Sequence, residues 1–392
     1  MSDHFDLVIL GGGCAGLSLS MALAAQGVHC PRTLVIESRT EYTNDRTWCY
    51  WNDRYAPAPY PIQQRWQTMR VAHAGRSVLL DCGSTPYHML AAQDFYDTAQ
   101  VSIDRQANIE LRQGTSVVSE PTRSGIVWTI RTGSGDVTAR SVVDTRPPQV
   151  PRRDGAALWQ SFYGEEIECS ASVFDASSMD LMHFLAPDPR YIPFLYVLPV
   201  TPTRALVEVT VFGAAPLAPR ELSARLQAAV AERVGDAPFT TLRREHGILP
   251  MGLNEPPRSA HRSCVRVGVM AGGARPSTGY AFQRIQRWAG DCAHALVSSG
   301  HPIDHRPDPL PLRVMDRIFL DVLRADPSRG GALFFSLFSR ADPARVIRFL
   351  SGNGGVFDAL AVAAAMPMPP FVRAALAMTR RRGRICEVEG IA

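Results

Sequence analysis

The sequence of 392 residues contains no lysine: every one of the 41 cations counted as Lys+Arg is an arginine. No lysine Schiff base can therefore act as a covalent catalyst. No apolar run approaches the roughly 18 to 20 residues that a membrane helix needs. Basic residues are missing from the opening segment, Met1-Ser2-Asp3-His4-Phe5, where a secretory signal would carry them. Strand-forming residues follow at once, and the expectation is a cytoplasmic protein. A net charge of only +4 gives no reason to expect nucleic acid as a partner. The eight cysteines are scattered, with no CxxC pair and no zinc spacing, as expected of reduced and mostly buried thiols. His183 and His246 show no metal-ligand pattern, so no metal is expected. Ser277 has no His and Asp at triad spacing, which removes hydrolase chemistry.

Apolar residues make up 46% of the chain, enough for two intimately joined domains with a helical tail. Phe5 to Leu10 is a short apolar run. Glycines from Gly11 to Gly16 follow, then an apolar helix pattern through Ala25, then a second strand from Thr33 to Glu37. This is a β-α-β unit. Residues 41–66, rich in Tyr, Trp, Pro and Asn, read as irregular. Short alternating runs from Met69 to about Thr145 suggest β-ribbons, with a helix near Ala91 to Gln100. A second strand-rich region spans about 157–212. Pro219 to Val234 reads as an amphipathic helix with Leu222, Leu226 and Val230 on one face. A strand near 264–272 leads into a glycine-rich turn and another helix. The last eighty residues alternate helical patterns with Pro and Gly breaks.

Gly11, Gly13 and Gly16 form G-x-G-x-x-G between a strand and a helix. The first glycine permits the tight turn, the second lets a pyrophosphate approach the backbone, and the third allows close helix–strand packing. The pyrophosphate then sits on free amides at the positive end of the helix. Glu37 stands 21 positions after Gly16 (37 − 16), where a carboxylate accepts a ribose hydroxyl. An acid there disfavours a 2′-phosphate. The motif alone does not separate FAD from NAD. Its place at the head of the chain favours FAD, as does the second glycine-rich element near residue 272.

Four further segments are recognisable. Asn44-Asp45-Arg46-Thr47-Trp48-Cys49-Tyr50-Trp51 resembles the NDRTWxFW segment of bacterial lycopene cyclases. Phe194-Leu195-Tyr196-Val197-Leu198-Pro199 followed by Ala205-Leu206-Val207-Glu208-Val209-Thr210 is similar to that family's FxYVLP…ALVExT. Gly247 to Met251 resembles G-x-I-P-M, and Gly272 to Tyr280 resembles GGxxxPSTGY.

The resemblance implies an α/β fold with a Rossmann-like, glutathione-reductase-like FAD domain. An interleaved antiparallel β-sheet substrate domain and a C-terminal helical region complete it. The expected boundaries are 1–70, 88–150 and 262–300 for the FAD domain, 71–87 and 151–261 for the substrate domain, and 301–392 for the helices. The implied activity is an isomerisation with no net redox change, run with reduced FAD and with NAD(P)H as reductant. Lycopene or a related acyclic carotenoid is the implied substrate, drawn from a membrane surface. A terminal double bond is protonated, an internal double bond attacks the cation, and loss of a proton leaves a β-ring. Other openings are a cyclase-like enzyme on another polyene, or an NAD(P)H-consuming monooxygenase or isoprenoid reductase.

Such chemistry needs a carboxylic acid that stays protonated near neutral pH, an anionic or aromatic surround for the cation, and exclusion of water. Glu208, a carboxyl within an apolar strand, is the leading candidate for the acid. Asp45 is a second candidate and Arg46 a flavin contact. Trp48, Tyr50 and Trp51 are candidates to line a polyene channel. Asp144 resembles the V-I-D-x-R segment beside FAD. Gly272, Gly273, Pro276, Thr278 and Gly279 suit the flavin ring and its phosphates. His183 replaces the aspartate of the family's L-M-D-F; a protonated imidazole near the cation would oppose it, and Asp175 or Asp180 would have to compensate. Phe371 to Arg384, apolar and then arginine-rich, suggests a helix lying on an anionic membrane surface.

Overall fold

The computed structural model describes residues 3–52, 60–147, 155–254, 259 and 261–389, with side chains through Met378. The chain opens with β1 (Asp3–Leu10), α1 (Cys14–Ala24), β2 (Thr33–Ile36), β3 (Thr47–Trp51), β4 (Gln64–Trp66), β5 (Thr68–His73), β6 (Arg76–Asp81) and β7 (Tyr87–Ala91). Next come α2 (Ala92–Asp104), β8 (Ile109–Arg112), β9 (Thr122–Ser124), β10 (Val127–Thr132) and β11 (Gly135–Asp144). The central part is β12 (Ala156–Cys169), β13 (Ser178–Phe184), β14 (Tyr191–Pro199), β15 (Arg204–Gly213), α3 (Pro219–Val234) and β16 (Phe239–Leu253). After β17 (Cys264–Arg266) the chain is helical: α4 (Phe282–Ser299), α5 (Leu310–Ala325), α6 (Gly330–Arg340), α7 (Pro343–Leu350), α8 (Val356–Ala364) and α9 (Met368–Glu389).

The first sheet has the order β8-β2-β1-β11-β10-β9, with β17 also paired to β11. Its β8, β2, β1, β11 and β17 run parallel. Leu7, Val8, Ile9 and Leu10 are all fully buried, because both faces of this sheet are covered. One face packs Leu7 and Ile9 against α1, α2 and α4 through Leu17, Phe95, Ile285 and Ala289. The other packs Val8 and Leu10 against Trp128 and Ile130 of the β-ribbon. The strand 264–266 therefore completes a unit begun at residue 3.

The second sheet has the order β16-β12-β15-β14-β13-β5-β6. All its pairs are antiparallel except β13–β5. Alternation along β15 divides its side chains. Val207, Val209 and Val211 meet α3 through Leu222, Leu226 and Val230. Leu206 and Phe212 point the other way, into a core shared with α5, α6 and α7. Glu208 lies on this second, inner face by the same alternation. The expected boundary at residue 71 falls inside β5, which joins this sheet from Thr68.

Residues 41–66 are not wholly irregular, as their composition suggested. They contain β3 and β4, which pair with β7 in a small third sheet. Its alternating aromatic side chains are buried on both faces, which sustains strands despite the surrounding Pro and Asn.

Candidate active site

The nucleotide turn is built as its glycines require. Gly11 adopts φ +99°, a left-handed backbone that other residues rarely take. A Cβ on Gly16 would run into the Gly11 carbonyl oxygen. Gly13 caps α1, and a Cβ there would meet no atom within 4 Å. Glu37 accepts the Gly12 amide at 2.8 Å, the Arg39 amide at 2.8 Å and the Arg39 guanidinium at 3.0 Å. Burial pushes this carboxyl up, but the Arg39 and Gly12 donors outweigh it and hold the group below the usual carboxylate range. Arg39 in turn lies over the rings of Tyr42 and Tyr96, at 4.9 and 5.3 Å.

Asp45 belongs to this same cluster. It accepts from Arg46 at 2.8 Å and from the Tyr96 hydroxyl at 3.0 Å, with Arg39 at 3.5 Å. Burial would raise its pKa; Arg46, Tyr96 and Arg39 together lower it. Asp45 is thus an ionised partner of two arginines, a poor state for a proton donor. Asp144 ends β11 and accepts from Arg146 at 2.9 Å and Arg266 at 3.4 Å. Its backbone oxygen takes the Val267 amide at 2.9 Å, so its contribution is to join β11 to the returning chain.

That returning chain approaches the N-terminal turn: a Cβ on Gly268 would lie 3.9 Å from Ala15 Cβ. Gly272 (φ +91°) is open at its Cβ position. A Cβ on Gly273 would meet the Gly268 oxygen at 2.8 Å, and one on Gly279 would meet Gln160 Oε1 at 2.7 Å. The 275–280 turn containing Pro276 and Thr278 closes through Arg275 N–H to the Tyr280 oxygen (2.9 Å) and Gly279 N–H to the Arg275 oxygen (2.9 Å). Arg275 is buried over the Phe349 ring at 4.0 Å, and Ser277 donates to Asp316 of α5 at 2.7 Å. The C-terminal helices thereby fix the loop.

Glu208 is only 7% exposed. It stands between Tyr196 of β14 and Gly164 of β12 in the sheet register. Thr210 donates its hydroxyl to Glu208 Oε1 at 2.6 Å. Burial, and then the neighbouring Glu245 carboxylate, push Glu208 up to about 8. Aromatic rings continue from this point. The Tyr196 hydroxyl bonds that of Tyr87 at 2.9 Å. Trp51 packs on Tyr87 and on Tyr280, each at 5.0 Å between centroids. A chain of packed aromatic side chains thus runs from the carboxyl to the glycine-rich loop.

Strand β3 sorts the aromatic candidates by its two-residue period. Trp51, with Cys49, faces the side of Glu208. Trp48 and Tyr50 face the other way and stack on Phe282 at 5.7 and 5.2 Å, inside the first domain's core. These two are packing residues and do not line a channel beside Glu208.

His183 also falls elsewhere. It pairs with Leu195, whose side chain belongs to the face covered by α3, and Arg233 and Glu232 of α3 act on it. Glu208 pairs with Tyr196, on the opposite face. The imidazole expected near the cation is therefore separated from Glu208 by the sheet. Asp180, the expected compensator, is engaged by Arg70 and by Arg233 at 2.7 Å, and Asp175 by Ser177 and Ser178.

The sequence reading missed Glu245, Arg243 and Thr47. Glu245 accepts from Thr47 at 2.8 Å and from Arg243, which also binds Glu166. Glu245 shares a face with Gly247 in the recognised 247–251 segment, and that period-two relation was the available signal.

The mostly parallel first sheet, glycine turn and interleaved, mostly antiparallel second sheet define the fold of the flavin-dependent monooxygenases and reductases. A geranylgeranyl bacteriochlorophyll reductase-like protein from Thermoplasma acidophilum matches with TM-score 0.62 at 13% identity, over 95% of this chain and 99% of that one. p-Nitrophenol 4-monooxygenase from Pseudomonas putida matches with TM-score 0.57 at 16% identity, over 97% and 98%. The lycopene cyclase protein family model matches residues 6–376, and the chain belongs to that family. It is 27% identical to lycopene beta-cyclase of Pantoea ananas over 293 residues, covering 72% of each chain. It is 24% identical to lycopene beta cyclase of Synechococcus elongatus over 312 residues, covering 75% of this chain and 72% of that one.

Proposed function

We propose that the protein is a flavin-dependent, redox-neutral carotenoid cyclase that forms a β-ionone ring on lycopene or a related acyclic carotenoid. The observation that carries this reading is a buried carboxyl, Glu208, pushed up by its surroundings and joined to the glycine-rich loop by Tyr196, Tyr87, Trp51 and Tyr280. Thr210 donates to Oε1, which leaves Oε2 to carry the proton. Transfer of that proton to the terminal double bond leaves a carboxylate beside the new tertiary cation. The aromatic faces stabilise the positive charge, and burial keeps water from capturing it. Attack by the internal double bond closes the ring, and loss of a ring proton restores the proton count.

The residues also suit FAD. Open ground lies over Gly13 and Gly272, and Gln160 Oε1 is a buried acceptor without a partner beside Gly279. Gly11, Gly13, Gly16 and Glu37 would hold the adenosine and pyrophosphate end. Gly272, Gly273, Pro276, Thr278 and Gly279 would hold the ring, with Arg46 and Asp144 between, and Asp45 orienting Arg46. Reduced flavin, with NAD(P)H as the reductant, would supply further negative charge beside the cation. The purified protein is expected to be yellow and to release FAD on denaturation; a folded chain that takes up neither FAD nor FMN on reconstitution contradicts this.

The substrate is insoluble in water, so a membrane contact belongs to the proposal. Among the described residues, no single helix is long and apolar enough to cross a bilayer. Helix α8 exposes Val356, Phe357 and Leu360, at 74%, 78% and 59%, and α9 exposes Met368, Val372 and Leu376. The two helices are bent by 116°. Such an apolar surface suits the interface of a bilayer. The side chains of Arg380, Arg381, Arg382 and Arg384 lie outside the described residues. Phe357→Asp with Leu360→Asp is expected to reduce co-sedimentation with anionic liposomes while flavin content stays constant. Deletion of 371–392 and high salt should weaken it too; binding unchanged in all three cases counts against this contact.

A further inference from the structure

Glu208 and Glu245 do not sit on adjacent strands. Strand β12 lies between theirs, and its Gly164 is in register with both. Two strand spacings would hold the backbones roughly 9 to 10 Å apart. An ordinary residue at 164 would put its side chain in the gap. A Cβ on Gly164 would instead stand 3.3 Å from Glu208 Cβ and 3.4 Å from Glu245 Cγ, so both carboxyl stems lean over the glycine.

The donors are unequally divided. Glu245 has the Arg243 guanidinium and the Thr47 hydroxyl. Thr47 is itself held, since Arg243 Nη2 donates to its oxygen at 2.6 Å. Arg243 is anchored on its far side by Glu166, which also binds Arg204 at 2.6 Å. Glu208 has the neutral Thr210 hydroxyl. Two carboxyls in one dry site resist ionising together, and the first charge settles where a cation already waits.

We propose that Glu245 is a positioning residue: clamped by Arg243 and Thr47 and brought across the Gly164 gap, it keeps the proton on Glu208. This rests on reading Glu208 as the acid of the proposed cyclisation. The charged and titratable groups acting on Glu208 are Glu245 and Arg243 of β16, with Cys49 of β3 and Tyr196 of β14 close by. Burial pushes both carboxyls up, and the Glu166 charge of β12 adds to the rise at Glu245; Arg243 and Thr47 oppose that rise at Glu245 and draw it back toward ionisation. The two sequence segments that meet here, 44–51 and 243–251, have a shared purpose on this view. Thr47 lies 198 residues from Glu245 in the chain yet sets where its charge sits.

The test uses the reduced holoenzyme and follows two readouts against pH. One is kcat/KM for lycopene in liposomes. The other is the infrared C=O stretch of a protonated carboxyl, assigned to Glu208 by its absence in Glu208→Gln. Activity needs protonated Glu208, so the rate falls as pH rises through its pKa. Removing the Glu245 charge lowers that pKa. In Glu245→Gln the alkaline limb and the loss of the infrared band are expected to move to lower pH together, by about one unit or more. Glu245→Asp should restore part of the shift. Thr47→Val, nearly isosteric, should loosen the charge on Glu245 and move both readouts the same way by less, which covers the case that Glu245→Gln does not fold. Limb and band unmoved in the folded variants, with Glu208→Gln inactive, overturn the role of Glu245 alone. An active Glu208→Gln overturns the reading of Glu208 as the acid.

Discussion

Glu208→Gln is expected to keep the fold and the flavin and to lose cyclisation by about 10² to 10⁴, the range typical of a general acid. Glutamine is nearly isosteric, and Glu208 has the Thr210 hydroxyl as its bonded donor, so a neutral amide oxygen can accept the same bond. Packing against Tyr196 and Gly164 is also conserved. What disappears is the proton on Oε2. Glu208 is already held neutral beside Glu245, so the amide leaves the charge balance of the site unchanged, and the thermal midpoint should hold while activity falls. Flavin absorbance per chain, thermal unfolding and product analysis together check this. Turnover near that of the unaltered enzyme would place the acid elsewhere.

Gly13→Val is expected to abolish flavin binding without unfolding the chain, a loss on the order of a hundredfold in affinity or more. Gly13 has φ −88° and ψ −164°, an extended backbone that valine adopts freely. A Cβ there meets no protein atom within 4 Å, so the side chain starts into open space. It would stand in the way of a ligand that approaches the backbone at the head of α1. A few lost phosphate–amide bonds, at about 1.5 to 3 kcal/mol each for a charged acceptor, account for such a factor. Equilibrium titration with FAD, with circular dichroism as the control for folding, reads the result. Unchanged affinity would remove the pyrophosphate from this turn.

Much of the first domain was legible in the sequence because its constraints are local. A glycine at a left-handed φ, a glycine under a carbonyl and an acid at the end of the next strand all lie within one β-α-β unit. Helix α3 was legible for the same reason, since Leu222, Leu226 and Val230 fall on one face within a few turns. Glu208 stood out by the motif it belongs to, since alternation alone places it equally well on a solvated face. Its surroundings did not. Whether His183 shares its face depends on the register of β13, which shifts between Asp180 and His183 against β14 and between Asp180 and Met182 against β5. A one-residue shift sends a side chain through to the other face of a sheet. Glu245 comes beside Glu208 through a third strand and a glycine, a relation that no local pattern encodes. The same applies to Thr47, which reads as part of a motif yet reaches from the small third sheet to Glu245 of the second.

The most direct test of proton-initiated, redox-neutral ring closure is the mass of the product formed in D₂O. Reduced enzyme, exchanged into D₂O and given lycopene in liposomes, should yield an isomer of the substrate carrying one deuterium for each ring closed. The deuteron comes from the exchangeable carboxyl, and the proton finally lost comes from the substrate carbon. A product with the same composition as lycopene and no deuterium would contradict protonation by an exchangeable acid, and one that has gained oxygen or two hydrogens would contradict redox neutrality.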